Sequence, residues 1–122
     1  MMRYSKQREL IINIIKNRCD HPTADMIYNS ARQMEPNISL GTVYRNLKLL
    51  ADEGEIITLE TVDKRLHYDG DLSNHSHFIC EDCGKIVDLF KPSAIPSEIG
   101  ELGLKLTGQK CIYYGKCEDC NI

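Results

Sequence analysis

Two Cys-x-x-Cys pairs, Cys80 with Cys83 and Cys117 with Cys120, constrain the second half of this chain most strongly. A spacing of two lets both thiolates of one tight turn reach the same ion, and two such turns complete a tetrahedron. The pairs therefore predict a structural Zn²⁺ site. A rubredoxin-like iron site and a redox dithiol are the alternatives, although a redox dithiol usually precedes a helix in a βαβ unit, a pattern that this sequence lacks.

The remaining cysteine usage bears on the cellular compartment. Six cysteines in 122 residues would suggest disulfides in a secreted protein, but in a reducing cytosol they are more often metal ligands. The N-terminal residues 1–6 contain no apolar signal region, and no apolar run approaches the length of a membrane span. We therefore expect a cytoplasmic protein that does not enter a membrane. Cys19 and Cys111 have no evident partners and are interpreted as ordinary small residues.

The first half of the chain predicts three short helices and a hairpin. Ser5, Thr23 and Ser39 are suited to N-cap positions, the first helix is expected to run to about Arg18, and Gly54 fits the position after the third. Apolar residues recur at helical spacing: Leu10, Ile11, Ile14 and Ile15, then Ile27, Ala31 and Met34, then Val43, Leu47 and Leu50. Residues 56–60 and 66–69 have strand character and flank a turn, which predicts a β-hairpin. This order is typical of a winged helix, a variant of the helix-turn-helix.

The second half indicates a small mixed domain. Residues 77–81, 85–90 and 104–114 have strand character, and a short helix is expected at 96–102. We therefore predict an α+β protein in which a winged helix precedes a small α/β dimerisation domain with the four-cysteine zinc site. The predicted domains are residues 1–69 for DNA binding, a polar hinge at 70–74, and residues 75–122 for metal binding and dimerisation.

The third helix is the candidate for reading DNA. The formal net charge is −3, yet residues 1–48 carry +4 and residues 49–122 carry −7, so the basic character is concentrated at the front. With the apolar stripe facing inward, Gly41, Arg45 and Lys48 point outward and Tyr44 lies on the flank. Periodicity alone is equally compatible with a solvated face; the two preceding helices and the wing favour DNA. The predicted contacts are Ser39, Thr42, Tyr44, Arg45 and Lys48.

Histidines and aspartates form a third group of candidate residues. His75 and His77 alternate on an extended segment, so both can point to one side. Asp88 interrupts an apolar run, which a metal, a salt bridge or an edge position would explain. The other members are His21, His67 and Asp69. Each residue alone is compatible with an ordinary surface position, and their spacing does not establish that they converge.

Four stretches of this sequence resemble a known family. They are HPTADMIY at 21–28, SLGTVYRNL at 39–47, HSHFICEDCGKIVD at 75–88 and YGKCEDC at 114–120. In this order they resemble the ferric uptake regulator family of metal-dependent bacterial transcription factors, and within it the peroxide-responsive branch. The resemblance covers nearly the whole chain.

The resemblance implies roles for individual residues. The four paired cysteines match structural zinc ligands that stabilise a dimer, and Tyr44 and Arg45 match recognition-helix positions that touch DNA. The matching regulatory ligands are His21, Asp69, His75, His77 and Asp88. This N/O donor set suits Fe²⁺ or Mn²⁺, and His21 and His75 are the implied sites of oxidation by peroxide. Asp69 favours the peroxide-responsive branch, because the iron-uptake branch typically has Glu there. His67 falls beside the pattern and receives no role.

The implied function is a homodimeric repressor that binds double-stranded operator DNA and senses peroxide through its regulatory Fe²⁺ site. It is not an enzyme, and no organic cofactor is expected. The alternative within the family is a regulator of iron, manganese or zinc uptake without peroxide chemistry. A rubredoxin-like electron-transfer protein is the alternative from another class. Residues 107–110 lack the histidine that many members use for a further metal site, so none is expected there.

Overall fold

A computed structural model of the chain describes residues 5–73, 75–91 and 94–121. It contains two compact units, Met1–Leu72 and Ser73–Ile122. Two predictions fall partly outside the described residues. The predicted absence of a signal segment concerns residues 1–4, and the predicted hinge includes residue 74. Within the described ranges, no helix is both long and apolar enough to cross a membrane.

The first unit is a three-helix bundle with a hairpin. Its elements are α1 (Lys6–Lys16), α2 (Ala24–Met34), α3 (Leu40–Asp52), β1 (Ile57–Glu60) and β2 (Leu66–Asp69). The two strands pair antiparallel, with Ile57 opposite Asp69. This is the winged-helix order that the sequence predicted, although α1 ends at Lys16 and does not reach Arg18.

Local side chains set where these helices begin. The hydroxyls of Ser5, Thr23 and Ser39 each accept a hydrogen bond from the backbone N–H three residues further on, at 3.3, 3.4 and 3.1 Å. Such caps typically contribute about 1 kcal/mol each. Gly54 follows the C-cap of α3 with φ +74°, a conformation that glycine adopts without steric cost. The chain therefore leaves the helical conformation at Gly54, before β1 begins.

One apolar stripe from each helix forms the core of the first unit. Its fully or nearly fully buried members are Ile11, Ile12, Ile15, Ala24, Ile27, Ala31, Ile38, Val43, Leu47, Leu50, Ile56 and Tyr68. Met34 shares the helical spacing of Ile27 and Ala31, but it is 71% exposed and lies outside this core. The inward stripe of α2 starts one turn earlier, at Ala24, and Met34 is the last residue of the helix.

The second unit contains a three-stranded sheet in the order β4-β3-β5. Its elements are β3 (Ser76–Cys80), β4 (Ile86–Leu89), α4 (Glu98–Glu101) and β5 (Ile112–Gly115). β3 pairs antiparallel with β4 and parallel with β5. Helices followed by sheets confirm the predicted α+β class.

The predicted strand at 104–114 is mostly wrong, because the strand begins only at Ile112. Its central partner β3 has five residues, and the parallel pairing runs from His77 opposite Ile112 to Cys80 opposite Gly115. The backbone carbonyl of Cys111 still accepts the His77 N–H at 3.1 Å. Earlier residues of the segment have no β3 residue opposite them, so their strand propensity is not used.

Candidate metal centres and DNA-binding helix

Both cysteine pairs lie at one edge of the sheet in the second unit. Cys80 ends β3 and Cys83 follows in a turn, while Cys117 and Cys120 lie in the turn after β5. Because β3 and β5 are parallel neighbours, their carboxyl ends meet at the same edge. The four Sγ atoms lie within 4.8 Å of one another, so the structure brings together all four predicted zinc ligands.

The sulfur geometry suits a tetrahedral zinc ion. A Zn–S bond of about 2.3 Å places tetrahedral sulfurs about 3.8 Å apart, and Cys83 Sγ lies 3.7 Å from Cys117 Sγ. The backbone N–H groups of Cys83 and Cys117 donate to Cys80 Sγ at 3.5 and 3.4 Å. These hydrogen bonds lower the pKa of Cys80 to about 6. Contact with Cys117 and the other sulfurs raises the pKa of Cys120 to about 12, since thiols this close share protons until a cation neutralises them.

Two reciprocal ion pairs connect the cysteine turns. Lys85 Nζ lies 2.9 Å from a Glu118 carboxylate oxygen, and Lys116 Nζ lies 2.7 Å from an Asp82 oxygen. Each lysine flanks one turn and pairs with an acid inside the other. The four side chains are between 41% and 80% exposed, so solvent screens both pairs. They align the turns but contribute little stability.

Three of the predicted regulatory ligands lie together in the second unit. His77 on β3 faces Asp88 on β4 in the strand register, with 3.2 Å between Nε2 and Oδ1. His75 lies two residues earlier, and its Nε2 is 3.4 Å from the same carboxylate oxygen. His75 Nδ1 lies 2.7 Å from the Ser73 carbonyl, so Nδ1 carries the proton there. The ring of Phe90 stacks on His75 at 4.9 Å between centroids, which fixes the plane of the imidazole.

The other two predicted regulatory ligands lie together in the first unit. His21 Nε2 is 3.4 Å from Asp69 Oδ2, and both side chains are buried. The second carboxylate oxygen of Asp69 accepts the Asp71 N–H at 2.9 Å. Gly70 lies so close to α1 that an added Cβ would be 3.1 Å from the Lys16 Cα. This close approach fixes the end of β2, and therefore the Asp69 carboxylate, against the helix.

The loop that carries His21 is attached to the helix bundle at its start. His21 itself adopts φ +52°, a left-handed conformation that is uncommon for residues other than glycine. Just before it, Arg18 makes two hydrogen bonds to Asp20, at 3.0 and 2.7 Å, and one to Ser30 at 3.2 Å. The bonds from Arg18 hold the pKa of Asp20 below its usual range. Arg18, three residues before His21, therefore connects the start of this loop to Ser30 on α2.

Sequence reasoning gave His67 no role, but His67 contacts the same loop. Its Nδ1 lies 2.8 Å from the His21 carbonyl oxygen, and the adjacent N–H of Tyr68 donates to the Pro22 carbonyl at 2.9 Å. His67 and Asp69 are two residues apart on β2, so their side chains lie on the same face of the strand. That spacing was the only sequence signal for this contact, because the two histidines are 46 residues apart.

The outward face of α3 carries the predicted DNA contacts. Val43, Leu47 and Leu50 are fully buried, or nearly so, whereas Tyr44 is 49% exposed and Arg45 is also exposed. The inward stripe therefore leaves the basic and aromatic side chains in solvent, as the periodicity predicted. A face of this composition suits the major groove, where Arg pairs with guanine edges.

Three other predicted contacts on α3 make hydrogen bonds within the helix. Ser39 Oγ lies 2.9 Å from Thr42 Oγ1, and the Arg45 guanidinium donates to Thr42 Oγ1 at 3.4 Å. Lys48 Nζ is 3.1 Å from an Asp52 oxygen, and both side chains are mostly exposed. Because such an exposed i,i+4 pair is weak, Lys48 can exchange it for a phosphate.

A winged helix followed along the chain by a unit with a cysteine metal cluster defines a class of metal-binding transcription regulators. The family model of the ferric uptake regulator family matches residues 1–114. The chain therefore belongs to the ferric uptake regulator family.

Proteins similar to this chain include a peroxide operon regulator, a ferric uptake regulator and a peroxide stress regulator. A peroxide operon regulator from Bacillus subtilis is 37% identical over 125 residues, which cover 98% of this chain and 85% of that protein. The structure of the Helicobacter pylori ferric uptake regulator, which has three functional metal binding sites, superimposes with a TM-score of 0.82 at 29% identity, covering 96% of this chain and 83% of that one. A Campylobacter jejuni peroxide stress regulator gives a TM-score of 0.75 at 25% identity, covering 93% and 88%.

Proposed function

We propose that this chain is a metal-dependent DNA-binding repressor that senses peroxide through a regulatory Fe²⁺ site. The observation that carries the proposal is the chemistry of the two histidine–aspartate groups, His21 with Asp69 and His75 with His77 and Asp88. Every predicted regulatory donor is an imidazole nitrogen or a carboxylate oxygen, a set that suits Fe²⁺ or Mn²⁺. The likeness to a peroxide operon regulator supports the peroxide response.

The proposed metal content is one structural Zn²⁺ and one regulatory Fe²⁺ or Mn²⁺ per chain. The zinc ligands are Cys80, Cys83, Cys117 and Cys120, whose sulfur spacing fits the ion. The proposed regulatory ligands are His21, Asp69, His75, His77 and Asp88. Two backbone groups hydrogen-bond to these regulatory ligands: the Ser73 carbonyl orients His75, and the Asp71 N–H orients Asp69. Such supporting contacts fix which atom of a ligand faces the metal.

The proposed switch depends on how these ligands are divided along the chain. Residues 1–69 form the proposed DNA-binding domain, residues 70–74 the hinge, and residues 75–122 the dimerisation domain. One ion held by ligands from both domains would restrict the hinge and fix the spacing of two recognition helices in a dimer. DNA then favours the metal-bound arrangement, because half-sites about one helical turn apart require that spacing.

Exposed apolar side chains support the proposed homodimer. Among the described residues of the second unit, seven large apolar side chains are more than 40% exposed, a feature typical of interaction surfaces. They are Phe90, Ile95, Leu102, Leu104, Leu106, Tyr113 and Tyr114. A second copy of the chain is the proposed partner on this surface, and double-stranded operator DNA is the partner of α3.

The proposed response to peroxide is a covalent change at a ligand. A bound Fe²⁺ ion supplies the redox chemistry that activates hydrogen peroxide. One peroxide oxygen is added to the imidazole of His21 or His75, and the other leaves as water. The oxidised ring is a poorer ligand, so the metal is released and DNA binding is lost. The protein is consumed by this reaction, which therefore is not enzymatic turnover.

Mass spectrometry of the Fe²⁺-loaded protein tests this proposal. After brief exposure to peroxide, we expect one added oxygen on the peptide that contains His21 or His75, together with loss of operator binding. His67 is a matched internal control, because it is the one histidine of the four in the sequence that is not a proposed ligand. The Mn²⁺-loaded protein should remain unmodified. If both ligand peptides stay unmodified and DNA binding survives, the chain is a metal-uptake regulator and the peroxide proposal is wrong.

DNA binding is tested separately with Arg45→Ala. We expect roughly a 5- to 150-fold loss of operator affinity, since a bidentate Arg–guanine pair contributes about 1–3 kcal/mol of discrimination. Arg32→Ala is the matched control, because Arg32 is an exposed arginine near the end of α2, where its guanidinium lies over the Tyr28 ring. Equal binding by wild type and Arg45→Ala would show that α3 does not read the operator.

A further inference from the structure

His67, the histidine that is not a proposed metal ligand, lies against His21, which is one. His67 and Asp69 project from the same face of β2, and both approach His21. Asp69 approaches the imidazole of His21, whereas His67 approaches its backbone carbonyl. We propose that His67 is a positioning residue that holds His21 in the conformation needed to bind the regulatory metal.

The backbone of His21 needs such support. Its φ of +52° is a conformation that costs a residue other than glycine roughly 1–3 kcal/mol and persists only when its surroundings impose it. The carbonyl of His21 accepts a hydrogen bond from His67 Nδ1 at 2.8 Å. Since a carbonyl can only accept, Nδ1 must carry the proton. This bond directly restrains the peptide that is in the unfavourable conformation.

Neighbouring backbone contacts make the restraint specific to the ligand loop. The Tyr68 N–H donates to the Pro22 carbonyl at 2.9 Å, and Thr23 forms an isolated bridge with His67. The loop thus pairs with β2 as a short third extended segment beside the two strands of the hairpin. These backbone bonds form with any residue at position 67, so only the contact to the His21 carbonyl depends on the side chain. The imidazole of His67 therefore restrains the one residue of the loop that is a proposed ligand.

This inference rests on the proposed regulatory site and predicts a selective defect. His67→Phe keeps an aromatic ring but removes the donor, and we expect Mn²⁺ affinity to fall at least about tenfold, as for other residues that orient a ligand. His67→Asn places an amide N–H close to the position of Nδ1 and should restore affinity to within about threefold of wild type. Zinc content should stay the same in both variants. Mn²⁺ is the probe, since it does not support the peroxide reaction.

Two controls separate positioning from general damage to the hairpin. Thr61→Val removes another polar side chain of the same hairpin, a hydroxyl that lies 2.5 Å from Asp63 Oδ1 and 3.3 Å from the Arg65 carbonyl. It lies at the opposite end of the strands and should leave Mn²⁺ affinity unchanged even if it lowers the melting temperature. His21→Ala reports on the site itself. If His21→Ala does not weaken Mn²⁺ binding, the proposed regulatory site is wrong; if it does but His67→Phe does not, only the role of His67 is wrong.

Nitrogen-15 NMR of the wild-type imidazoles tests the same inference without a substitution. In the metal-free protein above the pKa of imidazole, we expect the ring of His67 to be the Nδ1–H tautomer, the minor form of free histidine in water. An Nε2–H tautomer for His67 would overturn the inference, because Nδ1 could then not donate to His21. Together with the rescue by His67→Asn, this measurement remains decisive even if His67→Phe fails to fold.

Discussion

The cysteine cluster and the histidine–aspartate groups differ in how their donors are brought together. All four sulfurs lie in one unit, in two turns at the ends of paired strands, and they stay within 4.8 Å of one another. The proposed regulatory donors are divided: His21 and Asp69 belong to the first unit, and His75, His77 and Asp88 to the second. A cluster within one unit can stabilise that unit, whereas donors divided between units can report on their arrangement. The division suits the cysteines to a scaffold and the other ligands to a switch.

The largest expected effect tests the scaffold. Cys80→Ser removes the sulfur that accepts two backbone hydrogen bonds, and we expect loss of zinc and unfolding of the second unit. Structural zinc sites contribute about 10–16 kcal/mol of apparent binding energy to folding, more than a small domain can lose. Elemental analysis and NMR spectra of the second unit measure this. Cys111→Ser is the control, because Cys111 lies in the same unit outside the cluster; if Cys80→Ser stays folded without zinc, the cysteines are not scaffold.

The next effect tests the switch without touching the scaffold. Asp88→Asn removes the carboxylate charge that both His75 and His77 approach, and we expect Mn²⁺ affinity to fall at least about 100-fold while one zinc is retained. Operator binding should then lose its dependence on Mn²⁺. Asp52→Asn removes an exposed carboxylate from α3 and should leave Mn²⁺ binding unchanged. Loss of zinc in Asp88→Asn would show that the two kinds of site are not independent.

Contacts between residues close in the sequence could be predicted, whereas contacts between distant residues could not. Helix starts were predictable because Ser5, Thr23 and Ser39 act within three residues of themselves. The cysteine cluster was predictable because a spacing of two fixes each half, leaving only the pairing of the turns open. By contrast, the contact between His21 and Asp69 joins residues 48 positions apart, and no periodicity of the chain encodes it. Family resemblance, not spacing, supplied that expectation.

Other features depended on packing that the sequence does not display. Met34 fits the helical stripe of α2, but the core is filled from Ala24 onward and Met34 remains exposed. Leu104 and Leu106 alternate with Lys105 and Thr107, yet β3 is too short to pair with residues this far before Ile112. His67 was given no role because it falls outside the family's pattern of ligands, although its position two residues from Asp69 placed it on the same face of β2.

A smaller effect concerns the close approach that fixes Asp69. Gly70→Ala would place a Cβ 3.1 Å from the Lys16 Cα and 3.2 Å from the Ile15 Cγ2, so β2 or α1 must shift. We expect a loss of about 1–3 kcal/mol in the stability of the first unit and weaker Mn²⁺ binding, measured by thermal unfolding and titration. Gly41→Ala is the control, since its Cβ would meet only the Ser39 Oγ at 4.0 Å. Unchanged Mn²⁺ affinity in Gly70→Ala would show that the position of Asp69 does not depend on this contact.

The smallest effect concerns the ion pairs that connect the cysteine turns. In the wild-type chain, the 2.9 Å contact between Lys85 and Glu118 raises the pKa of Lys85 and lowers the pKa of Glu118. Lys85→Ala removes this contact. Both groups are in solvent, so we expect no measurable change in melting temperature at moderate salt. If the cysteines alone hold the turns together, the rate at which a chelator removes zinc should also stay unchanged. Faster zinc loss in Lys85→Ala would mean that the scaffold depends on charged side chains outside the four sulfurs. The distinction between a self-sufficient zinc site and a regulatory site that needs supporting contacts would then no longer hold.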